Sequence, residues 1–548
     1  MRGVQSTGVI ATLKHFVGYS SSRAGRNLAP VHAGPRELAD VLLLPFETAV
    51  LDAGADSVMS SYTETDGLPV AADAGLLTGV LRDRWGFGGT VVADYFMVAF
   101  LASLHGVAAD LADAAGQALA AGVDVELPTG TAYLAPLAAR VRTGELPEEL
   151  VDRALERVLA QKERIGLLDA RPGDFADVDT GRIDLDPPAH REIAARIAEE
   201  SVVLLANDGT LPLASPGRVA VVGPNADDTS ALFGCYSFAN HVLSLHPDVE
   251  LGLDVTSVLG ALKTELPAAA LTYARGADVD TADTGGFAAA VAAAREADLC
   301  VAVVGDRAGL FGRGTSGEGC DAESLDLPGV QRQLVEALLD TGKPVVLVLL
   351  TGRPYAVGWA LDRCAAVVQA FFPGQEGASA VAGVLSGRVN PSGRLPVTLP
   401  RSVGAQPYSY LHPRLGGASS VSNIDTEPVR PFGHGLSYTT FAHADLRVAE
   451  PEVPTAGAVV VSCRVTNTGE RAGADVVQLY GSDPVASVTR PVAQLLGYAR
   501  VELAPGQSAE VVFDVPTHRV ASPTGGWCGW SSRAASTCSS APTARRRC

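Results

Sequence analysis

Two acidic residues stand out for where they sit. In GFGGTVVADYF, residues 86–96, a short apolar run ends in Asp94. Aspartate is disfavoured where a strand continues, so Asp94 is either placed for chemistry or caps a following helix. In GRGTSGEGC, residues 312–320, four glycines in nine residues surround Glu318. Such a loop is expected to be mobile and exposed, able to deliver a side chain onto a rigid scaffold. Glu318 also reads as a solvated surface glutamate, the commoner fate of that residue type. Two carboxyls in different surroundings, one ionised and one holding its proton, are what retaining cleavage of a glycosidic bond requires, at a separation of about 5–5.5 Å. Further hydrogen-bond donors could hold sugar hydroxyls: Lys14 and His15 closing the first apolar run, Arg26 in AGRN, Tyr62 in SSYTETDG and Tyr95 beside Asp94. Each of these types is also common as an ordinary packed or solvated side chain. Gly312, Gly314 and Gly317 fit the spacing of a dinucleotide-phosphate loop. That fit fails on context, because the preceding strand ends early and no helix opens at the last glycine. No HExxH, GxSxG, Walker or zinc-ligand spacing occurs, so no metal site and no cofactor is expected.

These residues need elements to hold them. Residues 1–168 alternate apolar runs (8–13, 57–59, 90–93 and 123–127) with helical patterns (36–53, 74–85, 111–121 and 132–142). Strands separated by helices imply βα units on a parallel sheet. Polar residues follow the runs directly, where a (β/α)8 barrel keeps its chemistry. Four such units are visible and a full barrel has eight, so the expectation is the C-terminal half of a barrel. Residues 169–186 are rich in Asp, Gly and Pro and read as a linker. A second α/β pattern fills 187–400, with strands at 218–222, 299–304, 344–350 and 366–370 and helices at 190–201, 286–297, 330–340 and 377–385. It reads as an α/β sandwich. Residues 401–440 read as a second linker. From 441 to 520 the period becomes two, with strands at 458–465, 475–480 and 509–515, the pattern of a fibronectin-like β-sandwich. Residues 521–548 show neither period and read as an irregular, non-native tail. The expected class is a multidomain α/β protein.

The chain has 61 acidic and 42 basic residues, a net charge of −19, and is 47% hydrophobic. A strongly acidic chain lacks the basic face that nucleic acid or an anionic membrane needs. No apolar run reaches the roughly 18 residues of a membrane helix. The eight cysteines are scattered without CxxC, so a disulfide-free chain is expected. The N-terminus has no secretory-signal layout, which favours the cytoplasm. A small carbohydrate is the expected partner, and a homo-oligomer is left open.

Several long motifs resemble glycoside hydrolase family 3, in its β-glucosidase and β-xylosidase branch. They are KHFVGYSSSRAGRNLAPVHAGPRELADVLLLPFE (14–47), SVMSSYTETDGLPVAAD (57–73), LLTGVLRDRWGFGGTVVADY (76–95), ESVVLLANDGTLPL (200–213), SGEGCDAESLDLPGVQ (316–331), FFPGQEGASAVAGVLSGRVNPSGRLPVTLP (371–400) and PFGHGLSYTTF (431–441). VTNTGERAGADVVQLY (465–480) is similar to that family's fibronectin-like domain. The resemblance implies a (β/α)8 barrel, an α/β sandwich and a fibronectin type III-like domain. It implies a retaining, exo-acting β-glycosidase that removes terminal β-D-glucosyl or β-D-xylosyl residues. Asp94 matches the family's nucleophile and Glu318 its acid/base. Lys14, His15 and Arg26 match the positions that hold the sugar, and Tyr62 the one that orients the nucleophile. The sequence also departs from the pattern. The family's upstream barrel half is absent, so the chain is expected to be N-terminally truncated, and a catalytically impaired remnant that at most binds sugars is the alternative. Ala322 and Glu323 follow Asp321 where Arg is usual, and His434 stands where Tyr is more usual.

Overall fold

A computed structural model describes residues 1–548 except 172–180, 182, 406–408, 455, 487, 521, 524–529, 532–536 and 541–548. Most of the first expected linker and most of the expected irregular tail therefore lie outside the described residues. The chain divides into two compact units, Met1–Ile183 and Asp184–Cys548.

In the first unit, β1 (Thr12–Phe16), β2 (Ser57–Ser60) and β3 (Thr90–Val92) pair in parallel in that order. Helices α1 (Leu44–Leu51), α2 (Met97–Ser103), α3 (Leu111–Ala121), α4 (Ala135–Arg142) and α5 (Glu149–Arg164) accompany them. Residues 38–42 and 75–84 are wound as π-helix. This is a barrel-like βα arrangement. Its core joins Phe16, Val58 and Val91 from the strands to Leu77, Leu81, Met97 and Leu101 from the helices. The start of α3 is local chemistry: the Asp110 carboxylate accepts from the Asp113 N–H at 2.8 Å. Gly122, at φ +124°, then ends the helix.

Two expectations for this unit need correction. The first strand is not 8–13 but Thr12–Phe16, so Lys14 and His15 lie inside it, where the pairing register shifts between Leu13 and Phe16. The run 123–127 is not a strand; it contributes one bridge, Val92 to Val125. Asp124 and Glu126 give it a strand-like alternation, but both are buried for polar reasons. Asp124 takes Arg82 at 2.6 Å and Arg157 at 2.8 Å. Glu126 accepts from the Ala132 and Tyr133 N–H groups.

In the second unit, β4 (Val203–Asn207), β5 (Arg218–Val222), β6 (Ala270–Ala274), β7 (Leu299–Gly305), β8 (Val345–Leu350) and β9 (Ala366–Gln369) form one sheet in the order β4-β9-β8-β7-β5-β6. Only the β4–β9 pair is antiparallel. Helices α6 (Pro188–Ser201), α7 (Val258–Glu265) and α10 (Gly377–Ser386) share one core with the sheet. Helices α8 (Phe287–Glu296) and α9 (Gln331–Leu339) share the other. A sheet covered on both faces explains the unbroken apolar runs of β7 and β8. The segment 401–440 is more than a linker. Leu399 bridges Arg430, and Leu436 bridges Leu204 on β4, so its second half extends the sheet edge.

The β-sandwich consists of β10 (Phe441–Val448), β11 (Ala458–Asn467) and β14 (Ser508–Pro516) in one sheet, and β12 (Gly473–Ser482) with β13 (Gln494–Leu503) in the other. Alternate residues Val461, Cys463 and Val465 face Val477, Leu479 and Leu496 across the core. Within the expected irregular tail, Thr537–Ser540 pairs antiparallel with β12.

Candidate active site

Asp94 lies two residues beyond β3, where the chain turns before α2. Its carboxylate is held at both oxygens. Oδ1 accepts from the Tyr95 N–H at 2.8 Å, and Oδ2 lies 3.2 Å from His15 Nε2. The Asp94 side chain keeps 12% of its surface exposed, enough to be reached and too little to be freely solvated. The turn is fixed from one side by main-chain bonds, Ala93 N–H to Val125 at 2.8 Å and Phe96 N–H to Leu127 at 2.9 Å. Phe96 sits at φ +63°. A bulky residue in the left-handed region is strained, and such strain persists where the surroundings over-determine the backbone, commonly at functional sites. On the other side, the Tyr62 hydroxyl donates to the Tyr95 carbonyl at 2.9 Å.

Around this turn is an aromatic wall. The His15 ring meets Tyr19 edge-on at 4.9 Å, Tyr19 meets Tyr62 at 6.0 Å, and Tyr62 packs on Phe100 at 5.5 Å. The Tyr19 hydroxyl donates to the Asn27 side chain. Among the residues expected from sequence, His15, Tyr62 and Tyr95 are thus gathered at Asp94. Lys14 is exposed on β1 beside His15, and Arg26 is exposed beside Asn27. Tyr95 and Phe96 are half exposed beside the carboxylate. Tyr19, Asn27, Phe100 and His105 were not anticipated. Tyr19 and Asn27 lie inside the 14–47 motif and Phe100 and His105 in 97–105, so no local pattern joins them until the strands pair.

Glu318 lies in the loop after β7. Where a mobile, exposed loop was expected, the structure shows a half-buried loop pinned at many points. Gly309 N–H bonds Ser316 at 3.0 Å, Phe311 N–H bonds Glu318 at 2.7 Å, and Thr315 N–H bonds Arg307 at 2.8 Å. Beneath it lies Asp306, fully buried at the end of β7. Its Oδ1 accepts from the Thr315 hydroxyl at 2.7 Å and the Tyr355 hydroxyl at 2.5 Å; its Oδ2 accepts from the Gly352 N–H at 2.8 Å. Burial, then the Asp306 carboxylate, holds the Tyr355 hydroxyl protonated far above its ordinary range. The glycines serve close approach. A Cβ on Gly317, at φ +133°, would fall 2.0 Å from the Gly309 carbonyl oxygen. The loop presents a half-buried Glu318 whose Oε2 accepts from the Tyr236 hydroxyl. Tyr236 is 82 residues away in sequence and was also not anticipated.

Among the described residues, no group of three or more His, Cys, Asp or Glu is placed to hold a metal ion, and no helix is long and apolar enough to cross a membrane. Cys235, Cys300, Cys320, Cys364 and Cys463 are free thiols; the side chains of the three tail cysteines lie outside the described residues.

The chain matches the family model of the glycosyl hydrolase family 3 N-terminal domain over residues 1–161 and that of the C-terminal domain over 202–438. A fibronectin type III-like domain matches 475–528. It is 36% identical over 534 residues to a beta-xylosidase of Formosa agariphila, covering 94% of this chain and 72% of that protein. It is 35% identical over 541 residues to a periplasmic beta-glucosidase of Salmonella typhimurium, covering 92% of this chain and 68% of that protein. A solved beta-glucosidase of Erythrobacter marinus superposes with TM-score 0.83 at 38% identity, covering 94% and 70% of the two chains. A beta-glucosidase of Listeria innocua bound to isofagomine does so with TM-score 0.83 at 29% identity, again covering 94% and 70%.

Proposed function

The chain belongs to glycoside hydrolase family 3, and from that membership we propose that it removes terminal β-D-glucosyl or β-D-xylosyl residues with retention, using Asp94 as nucleophile and Glu318 as acid/base. The observation that carries this is the setting of Asp94: a strand-end carboxylate with one oxygen on a backbone N–H and the other on His15. An ionised carboxylate so held keeps its geometry and stays accessible, as a nucleophile must.

In the first step Asp94 attacks the anomeric carbon, and the bond to the leaving oxygen breaks as Glu318 protonates that oxygen. The sugar is then an ester of Asp94. In the second step Glu318 takes a proton from water, the water oxygen attacks the anomeric carbon, and Asp94 leaves with the electron pair. The transition states carry positive charge on the ring, which the Asp94 carboxylate opposes. Both steps need only carboxyl groups, with no metal or organic cofactor. Tyr236 on Oε2 of Glu318 fixes the rotamer and leaves Oε1 to carry the proton. Lys14, His15, Arg26 and Tyr95 are proposed to hold sugar hydroxyls, and Tyr62 to set the turn that carries the nucleophile.

The test is covalent trapping. A 2-deoxy-2-fluoro glycosyl fluoride should add one sugar to the intact chain, and peptide mapping should place it on Asp94. Asp94→Ala should lose both labelling and turnover of an aryl β-glycoside. Wild-type turnover by Asp94→Ala, or a label on another carboxylate, would overturn the assignment.

A further inference from the structure

Outside the groups that touch the reacting atoms, one half-buried histidine closes a circuit onto the Asp94 turn. The Tyr95 main chain is central to that turn: its N–H holds Asp94 Oδ1 and its carbonyl, in the following peptide, takes the Tyr62 hydroxyl. Whatever fixes Tyr62 therefore fixes the Tyr95 carbonyl, one Cα away from the peptide that holds the nucleophile. The Tyr62 ring is wedged between Tyr19 and Phe100. The Tyr62 main-chain carbonyl faces Nε2 of His105 at 3.0 Å. A carbonyl only accepts, so Nε2 carries the hydrogen. The other ring nitrogen, Nδ1, lies 3.5 Å from Oε2 of Glu64, two residues beyond Tyr62. One imidazole thus bonds the Tyr62 carbonyl and lies beside the Glu64 carboxylate of the same segment. The His105 side chain is 13% exposed, and its own N–H bonds the Phe100 carbonyl at 2.8 Å just after α2. Helix α2 in turn starts from the Asp94 turn. The loop of contacts is complete: Asp94, Tyr95, α2, His105, Tyr62 and back to the Tyr95 carbonyl.

We propose that His105 is a positioning residue for the nucleophile: by clamping the Tyr62–Glu64 segment it fixes the Tyr62 hydroxyl on the Tyr95 carbonyl and so the direction of the Asp94 carboxylate. This rests on Asp94 being the nucleophile. His105 bonds Tyr62 at its main-chain carbonyl, so its effect falls on alignment and leaves sugar affinity alone. Misalignment of a reacting group by about 1 Å costs on the order of a hundredfold in rate.

The experiment compares the full chain with His105→Leu, His105→Gln, Glu64→Gln and Asp94→Ala. The substrate is p-nitrophenyl β-D-glucoside or β-D-xyloside, whichever the native chain turns over. His105→Leu should lower kcat by about ten- to hundredfold while KM stays within about twofold. Labelling of Asp94 by the fluoro sugar should slow in parallel. The thermal midpoint should fall by no more than about 4 °C. His105→Gln, whose amide nitrogen can reach the Tyr62 carbonyl, should recover most of the rate, and Glu64→Gln should give a smaller loss. An inactive Asp94→Ala beside a His105→Leu of native kcat would sink the positioning role and spare the nucleophile. A loss that Gln does not restore, accompanied by a collapse of the thermal midpoint, would make His105 merely structural. Native turnover by Asp94→Ala, or none by the native chain, would remove the functional reading and this proposal together.

Discussion

Acidification should loosen the second unit through His434, and the size follows from its surroundings. Its Nε2 donates to the Leu205 carbonyl at 3.1 Å, and its burial makes the neutral ring the form the fold accommodates. Its pKa is lowered to about 4, chiefly by burial and in smaller part by Arg430 and Arg394, against the opposing effect of the bond to Leu205. In the unfolded chain the same imidazole titrates near about 6.5. Between those two values the unfolded state binds a proton that the folded state refuses, so stability rises with pH across the window and falls as the solution is acidified through it. At pH 4.5 the unfolded ring is protonated about 100 to 1 and the folded ring is mostly neutral, a difference of about 2–3 kcal/mol relative to pH 7.5. His434→Gln keeps a donor for Leu205 and cannot titrate. The assay is urea unfolding of native chain and variant at both pH values, followed by a probe in the second unit. The variant should gain about 2–3 kcal/mol on the native chain between pH 7.5 and 4.5. Parallel loss in both proteins would refute the account of His434.

Three further outcomes follow from buried or crowded positions. Gly317→Ala should cut kcat about tenfold or more with little change in global stability, because its Cβ would collide with the Gly309 carbonyl and displace the Glu318 loop; native kcat would mean that the loop conformation is unimportant. Burial alone would raise the Asp475 carboxyl, but His443 and Arg394 hold it below the ordinary carboxylate range. Its stabilising effect is therefore present above about pH 4 and lost as pH falls through its lowered pKa; Asp475→Ala should cost about 3–5 kcal/mol near neutrality, measured by denaturant unfolding. Burial pushes the Cys300 and Cys364 thiols up to about 12, so both should stay unalkylated by iodoacetamide at pH 8 in the native protein while half-buried Cys235 reacts, as read by peptide mass.

The strand-end position of Asp94 was legible from the apolar run before it, but the choice of chemistry over a helix cap came only with the family resemblance. Glu318 was legible through its glycines, but their purpose was misread. They permit a close approach of Gly317 to Gly309. The supports were hidden for a simpler reason. Tyr355 and Gly352 converge on Asp306 from 49 and 46 residues away, and no local pattern records that. The same holds for His105 on Tyr62, 43 residues apart. Among the elements, buried parallel strands such as β7 and β8 were plain from their apolar runs. The edge strand β6 was missed because it is mostly exposed and its Ala-rich run shows no alternation. The segment 123–127 was taken for a strand because Asp124 and Glu126, buried by Arg82, Arg157 and two N–H groups, imitate period two.

The two proposed catalytic carboxyls are thus held in different ways, and the difference can be separated by experiment. Asp94 is fixed by its own turn, whereas Glu318 depends on Asp306 beneath its loop. In Asp306→Asn, one oxygen can still accept from the Thr315 and Tyr355 hydroxyls, but an NH2 group would face the Gly352 N–H, donor against donor. The unmet pair costs about 1–3 kcal/mol, and the loop can relieve it only by shifting. If Glu318 is the acid, a shifted loop harms protonation of the leaving group and spares nucleophilic attack. Turnover of a p-nitrophenyl glycoside, whose leaving group needs more help from a proton, should then fall more than that of a 2,4-dinitrophenyl glycoside, whose leaving group needs little. Labelling of Asp94 by the fluoro sugar fluoride should be nearly unchanged. Equal losses on both substrates would mean that Asp306 holds something other than the acid.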